Sequence, residues 1–348
     1  MAATSGDGDD ALARALAWVD EGRAVAIATV VNTWGSSPRP PGSLLAVSGD
    51  GAFFGSVSGG CIETDVVEKA QAVIAGGRPL LLDYGVSDKQ AWDVGLACGG
   101  EIRVFVERLD DPAMWRGLRD RRPAALVTDL VAGRHAVLRP GAAADGDLAP
   151  AADTLTQARE ALLRDRSTPL DDPAGPVFVR TFNPPLRMFI VGAVHIAQEL
   201  APMAARAGFA VTVADPRDSY ATEERFPGVH VVRGLPDGIL EQMAPDHRTA
   251  VVALSHNTMF DDPALLVALD SDAFYIGALG SRRTHAKRLD RLRVSVEDES
   301  ALGRIHAPIG LDLGGREAAE VAVAILAEVI AARHGKDARA ADDLRAIA

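Results

Sequence analysis

The sequence predicts a two-domain α/β protein, with a mixed α/β domain in its first half and a doubly wound parallel sheet in its second half. The chain has 348 residues, which is more than one ordinary hydrophobic core spans. Short apolar strands separated by glycine-rich loops dominate the first half. From Met188 onward, short apolar strands alternate with helices, an order typical of a parallel sheet covered on both faces.

The elements of the first half follow from their hydrophobic patterns. Helical spacing of apolar residues predicts helices over Ala11 to Val19 and Thr64 to Ala75, whereas continuous or alternating apolar residues predict strands. The predicted strands are Ala24 to Val31, Leu44 to Val47, Phe53 to Val57 and Ile102 to Glu107. A mixed α/β domain over residues 11–138 is therefore expected, after a disordered, acidic segment at residues 1–10.

A shift in composition separates the two halves. Alanine, aspartate, glycine and proline dominate residues 139–185, apart from one helical stretch at Leu155 to Leu163. Such a composition is typical of loops, so we expect a linker here. The C-terminal domain is then expected over residues 186–340.

The second half predicts parallel strands because its apolar runs are short and each is followed by a turn or a helix. The expected strands are Met188 to Val191, Phe209 to Ala214, Val229 to Val232, Val251 to Leu254 and Phe274 to Ile276, with a helix over Ile196 to Ala207 after the first strand. A last helix, rich in Ala, Val, Ile and Leu, is expected to end near Gly335.

The composition of the chain argues against several classes of function. The formal net charge of −12 disfavours general nucleic-acid binding, which needs a basic surface. No apolar run approaches the roughly 20 residues of a membrane span, and the start of the chain lacks the features of a secretory signal. We therefore expect a cytoplasmic protein that binds neither membrane nor nucleic acid. Two cysteines do not make a disulfide scaffold in a chain of this length.

Both cysteines lie beside glycine pairs. The first stretch reads Ser58-Gly59-Gly60-Cys61-Ile62-Glu63 and the second reads Ala97-Cys98-Gly99-Gly100. Glycine permits tight turns and leaves a neighbouring thiol uncrowded, so these residues are candidate ligand contacts. Glu63 is either an acid/base group or a first-turn acid favoured by the helix dipole. No cluster has the Cys/His spacing of a metal site formed by protein alone.

A glycine turn follows the first strand of the second domain. In Gly192-Ala193-Val194-His195-Ile196-Ala197, the turn between strand and helix is where Rossmann folds place a dinucleotide pyrophosphate, and Asp215 ends the next strand where a ribose-binding acid is expected. Val194, however, replaces the glycine that lets the backbone approach the pyrophosphate. Two interpretations stay open: a Rossmann-like fold without nicotinamide binding, or a nucleotide site.

Three other segments are candidate anion or substrate sites. Arg39 lies in a stiff loop running from Trp34 to Gly42, and Ser281-Arg282-Arg283 opens a helix after a strand. His256 follows the Val251 to Leu254 strand at the carboxyl edge of the sheet. For each, the alternative is structural: a rigid turn, two solvated arginines or a hydrogen-bonding histidine. Asp261 and Asp262 are expected to cap the following helix.

These motifs, in this order, resemble the XdhC/CoxI family, bacterial accessory proteins that mature xanthine dehydrogenase and related molybdenum hydroxylases. The N-terminal signatures are the loop from Gly35 to Gly42, the stretch from Gly55 to Glu63, and Cys98-Gly99-Gly100. The C-terminal signatures are the stretch from Tyr275 to Arg283 and Pro308-Ile309-Gly310-Leu311-Asp312. Family members commonly read G-A-G-H where this chain has Gly192 to His195, and H-D where it has His256-Asn257.

The resemblance implies a homodimer that binds molybdenum cofactor, protects it while a cysteine desulfurase installs its terminal sulfur, and hands it to an apo-hydroxylase such as xanthine dehydrogenase. No turnover by this protein is required. Cys61 and Cys98 are expected to face the metal or to hold sulfur, because thiolates are soft ligands. The expected cofactor contacts are Cys61, Cys98, Arg39, Ser58, Gly59, Gly60, Gly99, Gly100, Gly192, His195, Asp215, His256, Ser281, Arg282, Arg283 and Asp312.

Two alternatives remain at this point. One is an NAD(P)-dependent oxidoreductase that uses the Gly192 turn and Asp215, with Val194 against it. The other is a dithiol redox protein using Cys61 and Cys98, although these cysteines do not form a C-x-x-C motif. The form of the cofactor, molybdopterin or its cytosine dinucleotide, is left open.

Overall fold

The computed structural model describes residues 7–35, 39–85, 100–120 and 122–336. It divides into two compact units, Ser5–Pro184 and a unit containing Pro185–Ala348. The sequence-based boundaries are residues 138/139 and 185/186. Among the described residues, no helix combines the length and apolarity needed to cross a membrane.

The first part of the N-terminal unit is an antiparallel sheet. Its strands share one apolar core with a first helix and another apolar core with a second helix. In chain order its elements are α1 (Asp7–Asp20), β1 (Val25–Trp34), β2 (Leu44–Ser48), β3 (Phe53–Gly55), α2 (Glu63–Gly76), β4 (Leu80–Tyr84) and β5 (Glu101–Arg108). The strand order is β3-β2-β1-β5-β4, with every pairing antiparallel. Helix α1 begins at Asp7, within the segment expected to be disordered, and its residues Ala11 and Leu12 are fully buried.

A second antiparallel sheet follows in the same unit. Its elements are α3 (Pro112–Leu118), β6 (Ala124–Asp129), β7 (His135–Leu138), β8 (Asp145–Gly146), α4 (Ala152–Leu163), β9 (Thr168–Asp172) and β10 (Gly175–Phe182), and the strand order is β8-β7-β6-β10-β9. Much of this sheet occupies residues 139–185, where we expected a linker. Short strands interrupted by proline and aspartate have the composition of loops, yet Val177, Phe178 and Val179 are buried.

The two sheets of the N-terminal unit pack on each other. Val31 and Phe105 of the first sheet form one buried cluster with Leu130 and Phe178, which lie in or beside the second sheet. The Arg180 Nε donates a hydrogen bond to the Gly42 carbonyl at 3.1 Å, so the loop before β2 is also fixed to the second sheet.

The C-terminal unit is a parallel sheet with helices on both faces, which confirms the predicted fold class. Its elements are β11 (Leu186–Val191), α5 (His195–Arg206), β12 (Phe209–Asp215), β13 (His230–Arg233), α6 (Pro236–Met243), β14 (Thr249–Ala253), α7 (Thr258–Leu269), β15 (Tyr275–Ala278), α8 (Arg282–Leu292), β16 (Ile305–His306) and α9 (Ala318–Arg333). A 3₁₀ helix, Glu299–Arg304, precedes β16.

The strand order is β13-β12-β11-β14-β15-β16, with every pairing parallel. The chain adds β12 and β13 on one side of β11 and then returns to add β14, β15 and β16 on its other side. One apolar cluster packs α5 and α9 against the sheet, and a second packs α6 and α7 against its other face. Open α/β sheets bind ligands at such a reversal, outside the carboxyl ends of the strands. The turns after β11 and β14 are therefore the part of this unit where a site is expected.

Candidate functional site

The loop that carries Cys61 is built around a buried carboxylate. Glu63 opens α2 and is only 7% exposed. Its Oε1 accepts hydrogen bonds from three donors and its Oε2 from two. The donors to Oε1 are Ser56 Oγ (2.8 Å), Val57 N (3.1 Å) and Ser58 N (2.9 Å), and those to Oε2 are Ser58 Oγ (2.5 Å) and Gly60 N (2.9 Å).

These donors fix the charge state of Glu63. Burial by itself raises the pKa of a carboxyl group, but the hydrogen bonds from Ser58 and Ser56 outweigh it and lower the pKa of Glu63 to about 2. A carboxylate that stays ionised at neutral pH with its oxygens occupied by loop donors is a poor proton shuttle. The structure thus favours a structural role for Glu63, which organises the loop.

Cys61 is held by the same network. The Ser58 hydroxyl, which donates to Glu63, accepts hydrogen bonds from the Cys61 and Ile62 backbone N–H groups, both at 3.0 Å. Gly59 (φ 77°) and Gly60 (φ 114°) adopt left-handed conformations that favour glycine. The Cys61 side chain is half-buried and packs against the apolar cluster beneath α2. The thiol therefore lies on a loop with a defined geometry, partly packed and partly accessible.

The N-terminal signature segments leave the first sheet at one end. The strand register pairs Trp34 with Glu101 and Leu45 with Gly55, so the loops after β1 and β3 and the residues before β5 share that end. Arg39 is half-buried in the first of these loops, and Gly100 is buried immediately before β5. The two residues before Gly100, Cys98 and Gly99, lie outside the described residues, as do residues 36–38.

The glycine turn of the C-terminal unit is close-packed. Gly192 has φ 97°, and a Cβ placed on it would lie 2.7 Å from the Ser255 Cα. Only glycine fits here, because the neighbouring strand-end backbone occupies the space. Val194 is the extended N-cap residue of α5, and His195, the first residue of that helix, is exposed.

Asp215 has partners within the protein. It is fully buried, accepts the Ala193 backbone N–H at 2.8 Å, and receives Arg217 Nε at 2.9 Å and Nη2 at 2.7 Å. Burial raises its pKa, but the bonds from Arg217 and Ala193 outweigh burial and leave the pKa below its usual value. The carboxylate that sequence reasoning assigned to a ribose is directed at the turn itself, which argues against a dinucleotide role.

Arg225 also stabilises this turn, and sequence reasoning missed it. Its Nη1 donates to the Ala193 carbonyl at 2.9 Å and to the Tyr220 carbonyl at 2.8 Å, and its Nη2 donates to Gln198 Oε1 at 2.9 Å. No local pattern distinguishes Arg225 from the many other arginines. Its role depends on the contact between distant segments.

The turn after β14 places His256 at the carboxyl edge. His256 is exposed with φ 58°, an uncommon conformation for a residue other than glycine. Asn257 caps α7 by accepting the Met259 N–H at 3.0 Å, a role that an aspartate would also fill. The expectation that Asp261 and Asp262 cap this helix is wrong: both lie inside α7, and Asp261, 2% exposed, accepts the Ser255 hydroxyl at 2.7 Å.

The turn after β15 brings a second helix to the same edge. Ser281 caps α8 by accepting the Thr284 N–H at 3.2 Å, and the first two residues of the helix, Arg282 and Arg283, are exposed. Arg283 lines a cavity of about 310 Å³ together with His256. The structure thus brings together two residues that the sequence placed at separate strand ends.

The Pro308 to Asp312 signature is connected to the Tyr275 to Arg283 signature through a shared carboxylate. Gly310 has φ 87° and donates its N–H to Glu328 Oε2 at 2.7 Å, and the Tyr275 hydroxyl donates to the same oxygen at 2.6 Å. Glu328 lies on α9 and is 2% exposed, so it connects the two C-terminal signatures. Asp312 is exposed beyond this link. Within the described ranges, no group of three or more His, Cys, Asp or Glu residues could hold a metal ion.

The fold and these turns define a two-unit α/β protein, with a loop-borne thiol in one unit and a Rossmann-type sheet in the other. Residues 188–329 match the XdhC Rossmann domain, and residues 18–85 match the XdhC and CoxI family. The two matches together cover more than half of the chain, and the chain belongs to the XdhC and CoxI family, as its motifs predicted.

Curated relatives match over most of the chain. The molybdenum cofactor insertion chaperone PaoD of Escherichia coli K12 is 29% identical over 90% of this chain and 84% of its own length. A Bacillus subtilis 168 protein, described as a probable xanthine dehydrogenase subunit, is 27% identical over 88% of this chain and 92% of its own length. A Bacillus halodurans crystal structure described as a xanthine dehydrogenase has a TM-score of 0.74 at 23% identity, covering 94% of this chain and 97% of that one. This last similarity shows the fold.

Proposed function

We propose that this protein binds molybdenum cofactor, holds it during maturation, and delivers it to xanthine dehydrogenase or a related molybdenum hydroxylase. The observation that carries the proposal is the relation to PaoD, which extends over 90% of this chain. Because the match includes both units, it supports a shared task for the whole protein. The proposal requires no chemical turnover.

The residues present fit such a cofactor. Molybdenum cofactor combines a soft metal centre with an anionic phosphate, so a carrier needs a thiol or similar ligand and local positive charge. Each unit offers one of these groups: the N-terminal unit has the partly accessible thiol of Cys61 on the loop organised by Glu63, and the C-terminal unit has the exposed Arg282 and Arg283 at the start of α8. When bound, the cofactor would supply the molybdenum centre that the recipient hydroxylase uses.

The roles of individual residues follow from their positions. In the N-terminal unit, Cys61 and Cys98 would contact the metal or hold sulfur, while Ser58, Gly59 and Gly60 shape the loop that carries Cys61. Arg39 and the turns after β14 and β15 supply polar contacts. Gly192 and Asp215 would act indirectly, because their contacts are with Ser255, Arg217 and Ala193.

The proposed maturation step involves two partners. A cysteine desulfurase would supply the terminal sulfur while the cofactor is bound, and an apo-hydroxylase would then receive it. We place this protein in the cytoplasm, as a homodimer, where both partners are accessible. Either molybdopterin or its cytosine dinucleotide form satisfies the chemistry that the described residues offer.

The test is an anaerobic binding titration with purified molybdenum cofactor, comparing wild type with Cys61→Ala and Cys98→Ala. We expect the wild type to retain pterin and molybdenum through gel filtration, and at least one cysteine variant to lose metal or bind more weakly while its thermal unfolding midpoint stays unchanged. Equal retention by all three proteins would remove the thiols from the proposal. Absence of binding by wild type would overturn the proposal itself.

The same preparation separates the two alternative functions. Micromolar NAD(P) binding with hydride transfer would indicate an oxidoreductase, against which Asp215 and Val194 both argue. A ready, reversible disulfide between Cys61 and Cys98 in the mass spectrum would indicate a dithiol redox protein.

A further inference from the structure

A buried guanidinium lies at the carboxyl edge of the parallel sheet, and two of its nitrogens have no hydrogen-bond partner among the described residues. Arg288, on α8, is 3% exposed. Its Nη2 donates to the Leu279 carbonyl at 2.9 Å, but Nε and Nη1 have no hydrogen-bond partner among the described residues. Burial of these donors lowers the pKa of Arg288. Unpaired buried donors are unfavourable, so the free protein retains a group that a ligand would satisfy.

Arg288 lines the cavity of about 310 Å³ described above, which extends along α8 beside the first turns of α7. Small-molecule sites begin near this volume, which suits one charged group of a larger ligand. The other lining residues are His256, Thr258, Asp261, Asp262, Arg283, Thr284, Lys287 and Arg291. Helix α8 presents the cavity with a basic face, because Arg283, Lys287 and Arg291 recur at four-residue intervals.

The two carboxylates of the cavity attract Arg288 electrostatically, but they accept no hydrogen bond from its Nε or Nη1. Asp262 accepts Arg291 Nε at 2.6 Å and Nη2 at 3.1 Å, and its Oδ1 lies 3.9 Å from Arg288 Nε, beyond hydrogen-bond distance. Asp261 accepts the Ser255 hydroxyl and N–H, and burial raises its pKa. With both carboxylates ionised, four cationic side chains oppose two anionic ones, leaving an excess of two positive charges in a chain of net charge −12.

We propose that this cavity binds a phosphate group, with Arg288 donating Nε and Nη1 to its oxygens and Lys287 and Arg283 at its rim. A phosphate monoester is dianionic at neutral pH and accepts several hydrogen bonds, so it matches both the charge excess and the unpaired donors. This site does not depend on the proposed function, because it stands on the C-terminal unit alone.

The test is calorimetric titration of the full-length protein with inorganic phosphate at constant ionic strength. We expect saturable binding by wild type and by Arg293→Gln, an exposed control at the end of α8. Arg288→Met should weaken binding at least about tenfold, because charge-assisted hydrogen bonds are lost. Its thermal unfolding midpoint should change little, since the lost bond to the Leu279 carbonyl and the lost attraction to Asp262 are offset by the removal of two buried donors without hydrogen-bond partners. A purely structural arginine would instead show a lower midpoint with phosphate affinity retained.

If Arg288→Met fails to fold, the exposed Lys287→Gln variant decides, with an expected loss of severalfold in affinity. Absence of saturable binding by wild type at millimolar phosphate, or wild-type affinity in both Lys287→Gln and Arg288→Met, would overturn the proposal.

Two further titrations identify the source of the phosphate. Tighter binding of CMP than of phosphate, with no binding of cytidine, would indicate a nucleotide phosphate. Tighter binding of the metal-free phosphorylated pterin than of its dephosphorylated form would indicate the pterin phosphate, and this comparison alone rests on the proposed function. Phosphate binding without cofactor binding would retain this site and reject that function, whereas cofactor binding by a wild-type protein that shows no saturable phosphate binding would reject this site and retain the function.

Discussion

Replacing Glu63 with glutamine should destabilise the N-terminal unit and loosen the loop that carries Cys61. The carboxylate accepts five hydrogen bonds, and its pKa of about 2, against an ordinary 4.5, measures how strongly the site prefers the ionised form. The difference of about 2.5 pKa units corresponds to about 3 kcal/mol. Glutamine lacks the charge, and its NH₂ group would face the Gly60 N–H in place of the oxygen that accepts it. Leaving that N–H without an acceptor costs about 1–3 kcal/mol by itself.

The expected loss of about 3 kcal/mol lowers the unfolding midpoint by roughly 6 to 12 °C for a unit of this size. Differential scanning calorimetry at pH 7 measures it, with the exposed Glu68→Gln on the same helix as the matched control. In a Cys98→Ser background, alkylation of Cys61 should also become severalfold faster, because Ser58 loses its anchor. An unchanged midpoint and unchanged alkylation rate in Glu63→Gln would refute the reasoning.

The stabilisation contributed by Glu63 should decrease as the pH falls. Because the pKa of Glu63 is lowered in the folded state, its stabilisation is fully present above the unfolded value of 4.5 and is lost as the pH falls through about 2. The difference in unfolding free energy between wild type and Glu63→Gln should therefore be the same at pH 7 and pH 5.5, and should fall to roughly half at pH 3. A difference that grows at acidic pH would contradict the assignment.

Two predictions concern the turn after β11. Gly192→Ala should lower stability by about 1–3 kcal/mol more than Gly208→Ala in thermal unfolding. Both residues have positive φ, but only a Cβ at Gly192 meets neighbouring backbone. Equal losses would show that the backbone near Ser255 moves away without cost. Asp215→Asn should cost about 2 kcal/mol at pH 7 by breaking the charge pair with Arg217. Since the pKa of Asp215 is lowered, that difference should shrink as the pH falls below about 4, and a constant difference measured in urea titrations at pH 7 and pH 3 would count against it.

The C-terminal sheet could be predicted from the sequence because its strands are continuous apolar runs, each ending at a turn. Met188, Ile190 and Val191 are all fully buried, as such runs require in a parallel sheet covered on both faces. The second sheet of the N-terminal unit escaped prediction for the opposite reason. Strand β9 contains proline and two aspartates and is stabilised by its pairing with β10, a contact that composition does not reveal.

In the candidate site, too, the sequence predicts the positions of residues but not the contacts that they make with distant segments. Positions at strand ends could be predicted, so the sequence placed His256 and Arg283 at the carboxyl edge of the sheet, where the structure has them; their role as cofactor contacts stays a prediction. Roles that depend on distant partners could not: a lone first-turn glutamate gives no sign that five donors surround Glu63, and nothing local marks Arg288 as buried and half-satisfied. The period of four in α8 is the one sequence signal that could have pointed to its basic face.

The most direct test of the central claim is anaerobic isolation of the protein from a host that makes molybdenum cofactor, followed by metal and pterin analysis. We expect stoichiometric pterin and molybdenum on the wild-type chain, and transfer of both to an apo-hydroxylase that becomes active. Isolation without pterin and molybdenum, or activation of the apo-hydroxylase at the same rate by free cofactor whether or not this protein is added, would contradict it.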